Sequence, residues 1–406
     1  MSNKKSILIL GGGSDQVFMI TTAAEMGIKS IVLDQNPHCL GSKLADHFEP
    51  ISTRNVAEIC EFVDSYQEKN EKIDGVSTMG SDIPHIVAKV AKHMNVPSIP
   101  IKAALLATNK YKMKQRFKKC GVSTPAFSLV RKPSDVKMFM NKFGTPVVIK
   151  PLSEAGSRGV FLLTSEKNVD LNFQKSLRYS DDGTILVEKF INGPQISTES
   201  IIINNDIYTP GYADRNYESL EKFLPQIMEN GGWVPSQYEN IKEQVEEEIS
   251  KAASAIGLKT GVIKGDIVIG ENGPVVIEIA ARLSGGDFSE SLVPIGSGIN
   301  YVKSVLELSL GKKPNPTQLR AKNKKVVANR YFFVNGGVLK KIEGLEKLKG
   351  KTWLEKFEIW REIGSKLPHL SSHGNRTGVF VVSGKTRQLV QSRVDWIYKN
   401  IKFLTE

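Results

Sequence analysis

The chain has 406 residues, 40% hydrophobic and 24% charged, with a formal net charge of +12. That length supports two or three domains, and the composition is that of a soluble globular protein, not a disordered or fibrous one. Cys39, Cys60 and Cys120 form no CxxC pair, the 6 histidines are scattered, and no apolar run approaches the roughly 18 residues that span a bilayer. A disulfide scaffold, a structural zinc site and a membrane span are therefore excluded.

The opening MSNKKSILILGGG runs from a short apolar stretch straight into glycines, so it reads as a first strand and not a signal peptide. The expected compartment is the cytoplasm. The positive charge suits anionic small molecules such as nucleotides, or simply a lysine-rich exterior. Lys322-Lys324-Lys325 and Lys340-Lys341 lack interleaved aromatics, so neither nucleic acid nor a membrane is expected as a partner.

Strand Ile7–Leu10, a helix through Met26, strand Ser30–Leu33, a helix over 55–68, strand Gly75–Thr78 and a helix over 83–94 follow in order. Such alternation predicts a parallel, doubly wound sheet. Gly11 and Gly13, with Asp34 further on, resemble a dinucleotide fingerprint, but Gln16 stands where its third glycine belongs. The turn reads as an ordinary tight strand-to-helix connection.

A helix from about Ala103 enters Thr108-Asn109-Lys110-Tyr111-Lys112, and another continues to Cys120. Pro125–Val130 is a strand, and a helix follows with Ser134 as its expected N-cap. Thr145–Pro151 is a strand carrying Lys150 at its end. It leads into Ser153-Glu154-Ala155-Gly156-Ser157-Arg158-Gly159 and a second strand, Val160–Leu163. A glycine- and serine-rich loop between strands can turn its N–H groups onto phosphates, with Lys150 as a point charge beside them. It is no Walker A loop, because a strand follows it. Ile185–Ile191 is a strand whose Glu188, Lys189, Phe190 and Ile191 suit the edge and face of a purine, and Gln195–Ile203 is another. Residues 205–236 read as irregular, with Asp214-Arg215-Asn216-Tyr217 a candidate for substrate contact.

The most informative stretch is Gly261–Gly286, GVIKGDIVIGENGPVVIEIAARLSGG. Two apolar runs joined at Glu271-Asn272-Gly273-Pro274 predict a β-hairpin. Centring the turn near Asn272 sets Asp266 directly across from Glu278. Alternation puts Asp266, Val268, Val276, Glu278, Ala280 and Arg282 on one face, and Ile267, Ile269, Val275, Ile277 and Ile279 on the other, in the core. Two carboxylates side by side repel unless a cation lies between them, and Mg²⁺ favours one or two carboxylates completed by phosphates. Arg282, on the same face, suits developing negative charge. The plain alternative is a solvated acidic face. Beyond it lie helices over 238–256 and 298–310. A small α/β tail follows: strand Val327–Val334, a helix near 343–348, strands near 355–360 and 377–382, and a helix over 385–401.

Five motifs in this order, TNKYK, VVIKPLSEAGSRGV, ILVEKFINGPQIS, VIKGDIVIG and VVIEIAARLSGG, resemble the ATP-grasp superfamily, in particular its carboxylate–amine ligase branch. The resemblance implies an α/β fold, α+β in its ATP-grasp part. Its parts are a pre-ATP-grasp parallel-sheet domain (1–100), an ATP-grasp domain (101–325, lid around 125–195) and a small C-terminal biotin carboxylase-like domain (326–406). It implies ATP and Mg²⁺ as cofactors, with Mn²⁺ as a substitute, a small carboxylate and an amine as substrates, and a homodimer as a possible assembly. Lys110 and Lys150 resemble the ATP-contacting lysines; Gly156, Ser157 and Gly159 the phosphate lid; Glu188, Lys189, Phe190 and Ile191 the adenine-side strand. Gln195 stands at a ribose position usually held by glutamate. Asp266 and Glu278 resemble the magnesium pair, with Ala280 where an asparagine is usual. Arg282 resembles the arginine on the carboxylate and its acyl phosphate. The implied reaction makes an acyl phosphate and ADP, then an amide. A bicarbonate-dependent carboxylase and a non-catalytic nucleotide-binding scaffold are the alternatives.

Overall fold

A computed structural model describes residues 4–320 and 325–406; Lys322 and Lys324 of the first lysine cluster lie outside them. Residues 4–100 form the expected parallel sheet, in the order His47–Glu49, Lys29–Leu33, Ser6–Leu10, Gly75–Ser77. Its central strand Ser6–Leu10 is buried throughout because helices Ser14–Glu25, Val56–Lys69 and Pro84–Met94 cover the two faces. The first glycine turn is packed tightly against its own domain. Gln16 packs over Gly11, Cys39 Sγ stands where a Cβ on Gly12 would go, and Asp34 accepts a hydrogen bond from Gly12 N–H at 2.9 Å.

Helices Ile101–Thr108 and Lys110–Lys119 break at Asn109, whose side chain accepts from Lys112 N–H and caps the second. A four-stranded antiparallel sheet follows, ordered Phe127–Val130, Ile185–Lys189, Val147–Lys150, Phe161–Leu163. The helix expected to be capped by Ser134 begins instead at Pro133, and Asp135 reaches back to accept from Arg131 and Lys132 N–H. Proline at the first helical position forfeits no hydrogen bond there.

The third sheet has 8 strands and crosses the boundary expected at residue 326. Gly273–Ala280, Gly261–Gly270, Gln195–Ile203, Asp206–Arg215 and Gly232–Val234 continue into Val326–Phe332, Gly378–Gly384 and Leu354–Ile359. The stretch expected to be irregular thus contains the ten-residue strand Asp206–Arg215. Pro210-Gly211 hid it, and the register slips between Tyr208 and Gly211, where a proline is tolerated. Leu339–Glu343 and Lys402–Thr405 form a small separate pair that the sequence did not suggest. Among the described residues, no helix is long and apolar enough to cross a membrane.

Candidate active site

The hairpin forms with Asp266 directly opposite Glu278 and Lys264 directly opposite Ala280. The register then slips between Asp266 and Ile267, so that Ile267 faces Val276. One extra residue inverts the side-chain parity beyond it. Val276 therefore enters the core with Ile267 and Ile279, while Ile277 lines a cleft of about 1170 Å³, the reverse of the alternation expected for those two positions. Lys264, Asp266, Glu278, Ala280 and Arg282 all line that cleft.

The opposite wall supplies lysines. Lys150 Nζ lies 2.9 Å from Glu188 Oε2, and Lys114 Nζ lies 3.0 Å from Glu188 Oε1. Lys114 is completely buried and also donates to Thr124 Oγ1 at 3.0 Å. Burial pulls the Lys114 ammonium down to about 8 despite Glu188. Burial acts likewise on Lys150, but Glu188 and Glu278 outweigh it and raise that group. Burial would raise Glu188; the two ammonium groups more than offset it and hold the carboxyl low. Glu188 is thus committed to positioning Lys150, and Lys189, Phe190, Ile191 and Gln195 continue along the cleft wall. Lys110 Nζ donates to Glu154 O at 2.7 Å and stands 3.8 Å from Glu278 Oε2.

The loop between Lys150 and Phe161 has three residues in the left-handed region, Gly156 (φ 63°), Ser157 (φ 60°) and Gly159 (φ 68°). Left-handed turns of this kind gather backbone N–H groups into an anion-binding concavity. Gly156 O accepts from His373 N–H at 3.0 Å, so a segment far along the chain touches the loop.

At the far end, Asp266 is saturated with cations. Arg215 Nη2 lies 3.1 Å from Asp266 Oδ1, and Lys264 Nζ contacts Asp266 Oδ2. Burial opposes ionisation of Asp266, but Lys264 and Arg215 win and drive it far below the carboxylate range. Arg215 also pairs with Glu229 at 2.6 Å, and Glu229 with Arg376, whose guanidinium sits 3.5 Å over the Tyr331 ring. Arg282 Nε pairs with Asp82 at 2.6 Å, a residue of the first domain. Asp15 Oδ1 accepts from Gly286 N–H at 3.0 Å. Glu199, wholly buried, accepts from Ser284 at 2.5 Å and Tyr301 at 2.8 Å and so fixes the loop behind Arg282.

Sequence reasoning missed Lys114, Lys264, Glu199 and Glu229. Lys264 shares strand parity with Asp266, a signal that was available; Lys114, one helical turn beyond Lys110, sits among several other lysines and carries no such mark. Arg215 belongs to the stretch singled out for substrate contact and ends the strand Asp206–Arg215.

Glu290 lines the same end of the cleft. Burial and the neighbouring Asp287 push it up to about 8, with Lys356 only partly offsetting them. Lys356 Nζ is shared between Asp287, at 2.8 Å, and Glu290 itself, and this shared ammonium does not make up for the burial. A raised acid stabilises the fold fully below its unfolded value, and that contribution is lost as pH climbs through the folded one. Glu290→Gln is therefore expected to flatten the fall in stability between roughly pH 5 and pH 8. Urea midpoints at pH 6 and pH 8.5 check it; a slope equal to wild type refutes it.

Mg²⁺ fits this donor set only in part. Glu278 offers a carboxylate one third exposed (33%), with no partner nearer than Lys110, whereas both Asp266 oxygens already carry cations. Among the described residues no group of three or more His, Cys, Asp or Glu side chains could cage a metal. The residues suit an ion that arrives on a phosphate ligand and takes one or two carboxylates from the protein.

Residues 107–286 match the ATP-grasp domain family, and residues 330–406 match the L-amino acid ligase C-terminal domain 2 family. The carbamoyl phosphate synthase large chain of Clostridium botulinum is 24% identical over 338 residues, 78% of this chain. This chain spans only 30% of that protein's length. The L-amino acid ligase of Bacillus licheniformis overlays with a TM-score of 0.84 at 21% identity, each chain covered completely. Biotin carboxylase of Campylobacter jejuni, solved as a β-γ-ATP complex, overlays at 0.74 with 19% identity, covering 99% of this chain and 92% of its own.

Proposed function

Because the chain belongs to the ATP-grasp superfamily, we propose that its cleft activates a carboxyl group at the expense of ATP. One observation carries this reading: two acids paired across a hairpin face two lysines on the opposite wall, and the same cleft runs on to a guanidinium. A cleft of about 1170 Å³ has space for a triphosphate nucleotide and a second substrate.

Lys150, held by Glu188, and Lys110 would neutralise the phosphates, and the left-handed loop at Gly156–Gly159 would cover them. Phe190 and Ile191 offer the base apolar contact. Mg²⁺ would be held by Glu278 and the phosphates themselves, both Asp266 oxygens being paired with Lys264 and Arg215, and would supply charge neutralisation to the β- and γ-phosphates. Arg282, aimed by Asp82, would orient the carboxylate. Its oxygen would attack the γ-phosphorus and ADP would leave, after which a nucleophile would displace phosphate from the acyl carbon. No nucleophilic side chain is needed.

Two second substrates follow from the comparisons. The likenesses to carbamoyl phosphate synthase and to biotin carboxylases, one of which is solved with MgADP and bicarbonate, favour bicarbonate. The L-amino acid ligase match rests on residues 330–406 and on the overlay, and favours an amino acid carboxylate joined to an amine. Taken together they lean towards bicarbonate. ADP release is the test, with bicarbonate alone and with pairs of carboxylates and amines. Stimulation by bicarbonate without an amine supports the first reading. Stimulation only by a carboxylate–amine pair supports the second. Tight ATP binding with no ADP under any condition would instead leave a nucleotide-binding scaffold.

A further inference from the structure

Four residues occupy one face of the hairpin in two directly opposed pairs: Asp266 with Glu278, and Lys264 with Ala280. The second pair decides what cation the first can hold. Ala280 offers no oxygen, and its methyl group leaves the space above it to the lysine across the ladder. Lys264 spends that space on Asp266, whose other oxygen is taken by Arg215 at 3.1 Å. Glu278 is left as the one carboxylate of the pair without a close cation.

We infer that Lys264 takes the place of a divalent ion at Asp266, so that the site works with one metal ion and one fixed ammonium. The inference rests on the nucleotide reading of the cleft and adds to it. Charge is the physical reason. A buried carboxylate demands a compensating cation, and an ammonium two residues along the same strand face provides one before any nucleotide arrives. Divalent ions need oxygen donors, and a position opposite alanine with Asp266 already paired supplies none. Glu278 and the phosphates are what remain for a metal.

Lys264 acts through Asp266 and is a positioning residue, so its test reads metal count as well as turnover. Mn²⁺ would be titrated into the full chain with adenylyl imidodiphosphate, counting bound ions by electron paramagnetic resonance and nucleotide by calorimetry. Wild type is expected to take up about one Mn²⁺ per bound nucleotide. Lys264→Met with Ala280→Asn, which removes the ammonium and adds an oxygen donor opposite, is expected to take up about two. Ala280→Asn alone should stay near one, because Lys264 still occupies Asp266. Two ions in wild type, or one in the double variant with nucleotide still bound, overturns the inference while sparing the functional reading. Failure of wild type to bind the analogue at all overturns both.

Discussion

Replacing Glu278 with glutamine is expected to lower ADP release about 10²–10³-fold while leaving the fold as stable as wild type. The side chain is one third exposed and its nearest cation, Lys110, stands 3.8 Å away. A pair at that distance with one partner open to water contributes little to stability. The glutamine keeps the shape and loses only the charge, so the effect falls on the ammonium of Lys150, which Glu278 helps to hold, and on whatever Glu278 neutralises in the reacting complex. Asp266→Asn makes the contrast. It leaves Lys264 and Arg215 facing an amide in a buried site, and both turnover and the urea midpoint are expected to fall. Parallel ADP assays and urea titrations separate the two. If Glu278→Gln keeps wild-type turnover with a responsive substrate, the hairpin is not where the phosphate charge is met.

The hairpin was legible because its two signals are local. Asn272-Gly273 marks the turn, and strand parity then opposes Asp266 to Glu278 with no knowledge of the rest of the chain. The bulge that turns Val276 inward was not, since nothing in VVIEIA marks which residue the ladder skips. Lys150 and the Gly156–Gly159 loop could be read the same local way. Lys114 could not be told from its neighbours in KYKMKQRFKK, because a lysine beside buried Met113 and Phe117 is normally a solvated one. Partners brought in from afar were out of reach: His373 against Gly156, Asp82 against Arg282, Asp15 against Gly286. The same holds for the long sheet, whose order joins residues 232–234 to residues 326–332 across nearly a hundred positions.

The second large effect concerns stability, at Glu188. Among the described residues, its carboxylate is the only anion in contact with both Lys114 and Lys150, all three being buried. Glu188→Gln leaves two ammonium groups beside each other, and breaking such a pair from one side costs about 3–5 kcal/mol. The penalty has a ceiling, because a lysine can shed its proton: neutralising one at pH 7 costs at most about 5 kcal/mol. Lys114, already down to about 8, is the one that yields. A lysine lowered on folding binds fewer protons in the native state, so its cost is fully present below the folded value and is relieved as pH rises towards the unfolded one. In wild type that relief begins near 8; in the variant it begins lower. The gap between the two urea stabilities is therefore expected to shrink by about 1.4 kcal/mol from pH 7 to pH 9. Adding Lys114→Met removes one stranded charge and should recover part of the loss, a coupling that a double-mutant cycle measures directly. A variant as stable as wild type at pH 7, or a gap that widens with pH, would mean that Glu188 is not the charge keeping these lysines together.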